Sequence, residues 1–287
     1  MKQQARWNSQ PLDLWRAEYA DGKFIELDGH ITHYREQGDG PPLILLHGWF
    51  HDSQMWNQNI SALARHSRVY AIDLWGFGYS TREMLDWDYP LYVRQLEAFM
   101  DYLDIQQAVL VGHSMGAGIA IMFCTQHRER LDKLVLVSPA GLPNPSPLLD
   151  EVTLQNALKQ LVLNREKSRR LLLETMFVHN GAAISDDFFR ELTRFHEIKG
   201  TNEILISSLK RDFFNGLSQE IAALGKTDAP TLIVWGQHDK SATPESGIKM
   251  CQMMQNSTLH IFAESGHCAN YEEPDRFNDI VTRFLTT

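Results

Sequence analysis

Short apolar runs alternate along this chain with stretches whose apolar residues recur at helical spacing. Leu43-Ile44-Leu45-Leu46, Val69-Tyr70-Ala71-Ile72, Ala108-Val109-Leu110-Val111, Leu134-Val135-Leu136-Val137, Pro230–Trp235 and Thr258–Phe262 are nearly continuous runs, the pattern of strands buried on both faces. Gln54–Ala64, Leu91–Leu103 and Glu272–Leu285 carry the helical spacing, the last with Phe277, Ile280, Val281 and Phe284 facing inward. Thr243-Pro244-Glu245 predicts a helix start, with Thr as N-cap and Pro in the first turn. Ahead of the runs, Lys23–Leu27 and Ile31–Arg35 alternate as two strands, and Asp28-Gly29 between them is a hairpin turn signal. Residues 1–22 are polar with scattered Trp and Leu and are read as an irregular arm.

Strands alternating with helices predict a mostly parallel sheet flanked by helices, an α/β architecture. The alternation lapses between Gly141 and Gly216. Pro143, Pro145 and Pro147 form a stiff lead-in, followed by four helical stretches at 148–163, 166–179, 185–198 and 201–214 and no clear strand. Their apolar residues include Leu171, Leu172, Phe177, Phe188, Phe189, Phe195, Phe213 and Phe214. Strand–helix alternation then resumes, so the expected organisation is a core domain of residues 1–140 and 217–287 with a helical insertion, 141–216, laid over it as a cap.

Composition narrows the partners. The chain has 287 residues, 27 basic and 36 acidic, and a net charge of −9. It has no clustered basic footprint, which argues against nucleic acid. No apolar run approaches the length of a transmembrane span, and the first residues lack the apolar stretch of a secretory signal. The three cysteines, Cys124, Cys251 and Cys268, are odd in number and lack metal-ligand spacing. The expectation is free thiols in the cytoplasm, no metal, no cofactor and a small-molecule substrate.

The chemistry centres on Gly112-His113-Ser114-Met115-Gly116, between the run ending at Val111 and the apolar stretch Ala117–Phe123. Strand, sharp turn and helix with Ser at the tip and Gly two residues to either side is the nucleophile-elbow pattern. A serine hydroxyl needs a base, and the base needs a group that holds its tautomer. Ser265-Gly266-His267 follows the last strand and Gln237-His238-Asp239 the one before it. In a parallel sheet both stand at the same edge as Ser114, where ligands bind. No Asp or Glu follows Leu134–Val137, which favours Asp239 as the acid; Asp228 and Glu245 are weak fallbacks. Asp73, in the glycine-punctuated loop Asp73–Ser80, is read as a turn-stabilising group, and His47 as a brace for the loop after the first buried strand.

With His47-Gly48-Trp49, the loop Asp73-Leu74-Trp75-Gly76-Phe77-Gly78-Tyr79-Ser80, the elbow, Asp239 and Gly266-His267 in this order, the chain resembles the α/β-hydrolase superfamily, in its helical-cap branch. One departure is Ala117, standing where the family often has a second Gly. The resemblance implies Ser114 as nucleophile, His267 as general base and Asp239 as its orienting partner. It implies an oxyanion hole from the backbone amides of Trp49 and Met115. Phe50 and His113 are the candidate substrate-binding residues, with His113 favoured as a structural or pocket-lining group. Serine at the elbow, rather than aspartate, suits attack at an acyl carbon. The leading expectation is a carboxylesterase or small lipase acting on short- to medium-chain esters. The alternatives are hydrolysis of a carbon–carbon bond in a meta-cleavage product with the same triad, perhydrolysis, thioester or lactone hydrolysis, and a slow-turnover ligand receptor.

Overall fold

The computed structural model describes residues 7–143, 169–181, 184–208 and 216–287. Its centre is an eight-stranded sheet of strands β1 (Lys23–Leu27), β2 (His30–Gln37), β3 (Pro42–Leu46), β4 (Arg68–Ile72), β5 (Ala108–His113), β6 (Leu131–Val137), β7 (Thr231–Gly236) and β8 (Ser257–Phe262), in the order β1-β2-β4-β3-β5-β6-β7-β8. The hairpin β1–β2 and the pair β2–β4 are antiparallel, and every later pairing is parallel. This is the α/β-hydrolase fold, with helices inserted between β6 and β7. The central strands are closed off on both faces: all six residues of β5 and of β7 are buried. Asp28 and Gly29 both take positive φ, 51° and 82°, the backbone a two-residue hairpin turn needs.

Parallel pairing puts the C-terminal ends of β3, β5, β6, β7 and β8 on one edge. Register brings Leu46 beside Gly112, His113 beside Val137 and Gly236 beside Phe262. The loops that leave these ends carry the candidate site. The helix Met115–Gln126 packs back on the sheet directly behind β5; it is apolar nearly all round because both sheet and outer helices cover it.

Several elements depart from their expectations. The arm contains a helix, Leu12–Tyr19, begun at Pro11 and pinned by buried Trp15, whose ring meets Tyr19 at 5.2 Å. The arm is also held by long-range contacts, a bridge between Gln10 and Ile198 and a hydrogen bond from Arg16 Nε to the Tyr79 carbonyl at 2.8 Å, which local patterning does not carry. Gln54–Ala64 is two short pieces, Ser53–Trp56 and Ile60–Leu63, because the Asn59 side chain donates to the carbonyl of Asn270 at 2.8 Å instead of facing solvent. The last helix divides into Ala269–Glu272 and Pro274–Thr286, since Pro274 starts a new helix. Thr243 has extended backbone before Pro244–Met253, but its hydroxyl caps no amide of that helix. It instead meets the Glu245 carboxylate.

Of the inserted stretches, 148–163 lies outside the described residues, as do Phe213, Phe214, Pro145 and Pro147. The described part comprises residues 169–181 with a wide π-type turn at Leu173–Phe177, the helix Asp186–Thr193 running into a 3-10 turn Arg194–Glu197, and the helix Thr201–Ser208. Phe189 and Phe195 are buried in it, while Leu171 is 58% exposed. No described helix is long and apolar enough to cross a membrane. The three cysteines are free thiols.

Candidate active site

Ser114 stands between β5 and the helix it opens, at φ 50° and ψ −111°. For a residue with a Cβ this backbone costs on the order of 1–3 kcal/mol and persists only when the surroundings hold it. They do: Ser114 N–H donates to Val137 at 2.9 Å, and its carbonyl accepts from Gly118 and Ala140, each at 3.1 Å. The flanking glycines admit the close approach. A Cβ on Gly112 would lie 2.5 Å from Ala117 Cα, and one on Gly116 would lie 2.3 Å from the Leu46 carbonyl oxygen. Any side chain at either position would push the elbow off the sheet.

The structure brings His267 and Asp239 together. His267 Nδ1 meets Asp239 Oδ2 at 2.8 Å, with both residues buried. The other carboxylate oxygen of Asp239 accepts from the amides of Ser241 and Ala242 at 2.8 and 2.9 Å. Those bonds fix the carboxylate, so it holds the imidazole with Nδ1–H towards it and Nε2 turned away. The His113 ring lies 4.8 Å from the His267 ring, and its Nε2–H donates to the His267 carbonyl at 3.0 Å. His113 therefore links the residue before Ser114 to the backbone of His267. The fallback acids are elsewhere: Asp228 is 91% exposed and pairs with Arg128, and Glu245 is exposed.

The loop after β3 carries Trp49 and Phe50. Phe50 takes φ 75° and is closed off from solvent, against Trp49, Phe177 and His196. The carbonyl of Phe50 accepts from His196 Nε2 at 3.1 Å, and Trp49 Nε1–H donates to Ser208 Oγ at 2.8 Å. Both contacts reach from the inserted helices. His47 braces the loop from below: its Nδ1–H donates to Gly48 and its Nε2 accepts from the Leu74 amide at 3.0 Å. Burial pushes its pKa down to about 4, which keeps the ring neutral and both bonds intact. Met115 opens its helix, so its amide belongs to the first-turn donors that have no partner within the helix.

Residues that sequence reasoning passed over complete the surroundings. His51 is buried, with its ring 5.5 Å from Phe177 and 5.8 Å from His113, and Tyr271 O–H donates to its Nε2 at 3.4 Å. Burial pushes the His51 pKa down to about 3, so the ring is neutral. Phe177 lies 5.7 Å from the His267 ring. Cys268 Sγ is 3.6 Å from His113 Nε2, and burial pushes its thiol pKa up. The spacing His267–Tyr271 was the available signal for Tyr271. His51 has no local signature, and Phe177, read from sequence only as an apolar residue of the inserted helices, is brought here by long-range packing. Among the described residues no group of His, Cys, Asp or Glu could hold a metal ion.

A family model for the alpha/beta hydrolase fold matches residues 41–274, from the lead-in of β3 to the start of the last helix. The chain belongs to that family. Among curated relatives it is 29% identical to a 2-hydroxy-6-oxononadienedioate/2-hydroxy-6-oxononatrienedioate hydrolase of Paraburkholderia xenovorans (strain LB400), over 93% of this chain and 96% of the relative. It is 30% identical to a 2-hydroxy-6-oxo-6-phenylhexa-2,4-dienoate hydrolase of Comamonas testosteroni, over 91% and 93%. Among solved structures, a meta-cleavage product hydrolase (CumD) from Pseudomonas fluorescens IP01 superposes with a TM-score of 0.79 at 28% identity, over 92% of this chain and 97% of that one. The chain is thus a hydrolase of this fold. None of these three is named an esterase or lipase, and the solved structure is named for a meta-cleavage product, the alternative given from sequence.

Proposed function

We propose that this protein is a serine hydrolase that cleaves the carbon–carbon bond beside a ketone in a ring-fission product of the 2-hydroxy-6-oxodienoate kind. The observation that carries this reading is similarity across nearly the full length of both chains to hydrolases named for such compounds. The alternative from sequence thereby takes precedence over the ester.

In the proposed mechanism His267 takes the proton of Ser114 Oγ as that oxygen adds to the ketone carbon. Asp239 holds the resulting imidazolium. The amides of Trp49 and Met115 receive the oxyanion; loss of one such donor typically costs ~10²–10³ in turnover. The dienol must first take its keto form, its 2-hydroxyl proton moving to the carbon beside the ketone, because only a saturated carbon there can pass the pair into the conjugated system. When the tetrahedral adduct collapses, the carbon–carbon bond breaks and its electron pair moves through the enone to the 2-oxo oxygen as a dienolate. The proton on His267 passes to that fragment, which leaves as a hydroxydienoate. Water, deprotonated by His267, then attacks the acyl-Ser114 ester and releases the carboxylic acid. The sum is one substrate and one water in, two acids out. Residues 141–216 form the cap in this reading, with Phe50 and His113 lining or supporting the acyl end of the pocket.

Ester hydrolysis remains the second reading on a specific observation. The guanidinium groups of half-buried Arg82 and buried Arg169, beside the inserted helices, are engaged within the protein: Arg82 with backbone carbonyls of its own loop and with Thr201 Oγ1, Arg169 with His196 and Asn202. An uncharged substrate asks for neither. The test is kcat/KM of wild type and Ser114→Ala on 2-hydroxy-6-oxo-6-phenylhexa-2,4-dienoate, followed by loss of its visible absorbance, and on p-nitrophenyl esters from acetate to palmitate. Faster turnover of the dienoate, lost in Ser114→Ala, supports the proposal. Turnover of esters alone would replace it with the second reading, and activity surviving in Ser114→Ala would remove the serine mechanism altogether.

A further inference from the structure

The loop Glu264–Cys268 carries His267, and the fate of its five successive backbone amides can be followed one by one. Glu264 N–H donates to Glu273 Oε1 at 3.1 Å, and Ser265 N–H to the Phe262 carbonyl at 3.4 Å. Gly266 N–H donates to Glu272 Oε1 at 2.9 Å, and Cys268 N–H to the same oxygen at 3.3 Å. Between them, His267 N–H donates to the Phe177 carbonyl at 2.9 Å, on the inserted helices. The second oxygen of Glu272 accepts from the His179 amide at 2.7 Å, two residues beyond Phe177, and the Asn180 amide also donates to this carboxylate.

One carboxylate therefore holds the backbone on both sides of His267 and, through its other oxygen, the segment that holds His267 itself. The two backbones are in direct contact: a Cβ on Gly266 would lie 2.8 Å from His179 N and 3.0 Å from Val178 C. Beside them the rings of His179 and His238 stack at 3.7 Å, with His238 next to Asp239. Amide bonds to an ionised carboxylate are among the stronger ones. They are concentrated here on a half-buried side chain that the proposed chemistry does not use. Burial pushes the Glu272 pKa up to about 7 against the pull of those amides, so the carboxyl is fully ionised only above that pH.

We infer that Glu272 is a positioning residue, which sets the backbone of His267 and locks that loop to the segment Phe177–Asn180, so that docking of this segment and alignment of the base are one event. The inference rests on the reading of Ser114, Asp239 and His267 as a triad, but not on which bond is cleaved. Glu272 touches no reacting atom. It acts through the peptide units of residues 266–268, and a displacement of the base by about 1 Å can cost on the order of a hundredfold.

The test uses Glu272→Gln, which keeps the size and one acceptor oxygen but turns an amide N–H towards some of these donors, and Glu272→Ala, which removes both acceptors. Four readouts are taken on the full chain: the rate of covalent labelling by a fluorophosphonate, kcat and KM on p-nitrophenyl acetate, the low-field proton resonance of His267 Nδ1–H, and Tm. For Glu272→Gln, labelling and kcat should fall about ten- to a hundredfold. KM should stay within about twofold, the low-field resonance should shift or broaden, and the protein should remain folded; Glu272→Ala should lose more. Labelling at the wild-type rate in both variants overturns the inference. So does a loss that only tracks the unfolded fraction, which would make Glu272 a structural anchor and nothing more. Labelling of Ser114→Ala at the wild-type rate would instead sink the triad reading, a different failure with a different signature.

Discussion

Among the described residues, two buried histidine–aspartate pairs have nearly the same geometry. His267 Nδ1 meets Asp239 at 2.8 Å, and His33 Nδ1 meets Asp73 at 2.7 Å. Distance does not separate them; what the rest of each group meets does. Asp73 also accepts from the amides of Ser53 and Tyr79 at 2.8 and 2.7 Å, and its own carbonyl accepts from Ser80 O–H at 2.6 Å. It knits β2, the loop after β3 and the loop after β4 into one unit. Burial opposes its charge, but His33, His47 and these amides outweigh burial and hold the carboxyl below the usual range. The outer nitrogen of His33, Nε2, is buried with no hydrogen-bond partner. His267, by contrast, sits at the strand-end edge beside the residue before Ser114, with only its inner nitrogen occupied by the carboxylate. A His–Asp pair can carry chemistry only when its outer nitrogen can reach a reacting group, and the outer nitrogen of His33 is shut inside the core.

The sharpest way to break this comparison is to neutralise each aspartate in turn. Asp239→Asn should lower kcat about 10⁴-fold, as the imidazole loses its tautomer, while Tm moves by only a few degrees. Asp73→Asn should do the reverse: a loss of about 3 kcal/mol in urea unfolding, with near-normal turnover by the protein that remains folded. If both substitutions act on stability alone, the two pairs are equivalent and the site assignment fails.

A second contrast concerns charge on acidification. The unfolded chain protonates His47 near 6.5 but the folded protein only near 4, so its contribution is intact above 6.5 and is lost as pH falls through 4. By pH 4 that amounts to about 3 kcal/mol, and His51, pushed down to about 3, adds a loss of the same sign. Glu272 runs the other way. Its folded pKa is raised from 4.5 to about 7, so its contribution grows as pH falls through that window and offsets about one histidine. Urea unfolding from pH 7.5 to 4.5 should show a net decline, made steeper by Glu272→Gln. A flat profile would mean that these histidines are not held neutral.

The smallest expected effect tests the join between the loop after β3 and the inserted helices. Ser208→Ala removes an acceptor of Trp49 Nε1–H and should cost about 1 kcal/mol, a Tm shift of a few degrees at most. A larger loss, or a change in kcat comparable to that of Asp239→Asn, would show that this contact governs the loop more tightly than its single hydrogen bond implies.

Much of the core was legible because its signals are local. A strand buried on both faces must be a nearly continuous apolar run, and β3, β5, β7 and the Leu134–Val137 part of β6 are. The hairpin at Asp28-Gly29 follows from two residues that tolerate positive φ. The elbow follows from glycines at the two places where Cβ would strike Ala117 and Leu46. From sequence the insertion reads as a helical cap, without the core residues that each helix meets. Their amphipathic spacing says that one face is covered but not by what, so the approach of Phe177 to His267 and of His196 to Phe50 lay outside it. The helix Leu12–Tyr19 was missed for a related reason: eight residues give a weak period, and its anchors, Trp15 in the core and Gln10 against Ile198, come from distant parts of the chain.

By itself, then, the order of residues determined the sheet, the turn at Ser114 and the placement of Asp239 and His267 at strand ends, because backbone pairing and alternation of strands and helices leave little other choice. Tertiary structure decided which of twelve histidines stands free of full occupation beside the elbow, and which carboxylate it meets. It also decided that Glu272 reaches across to His179 while its neighbour Glu273 holds the other half of the same loop. Those outcomes depend on distances between groups far apart in the chain, set by how the last helices and the inserted ones settle against the sheet.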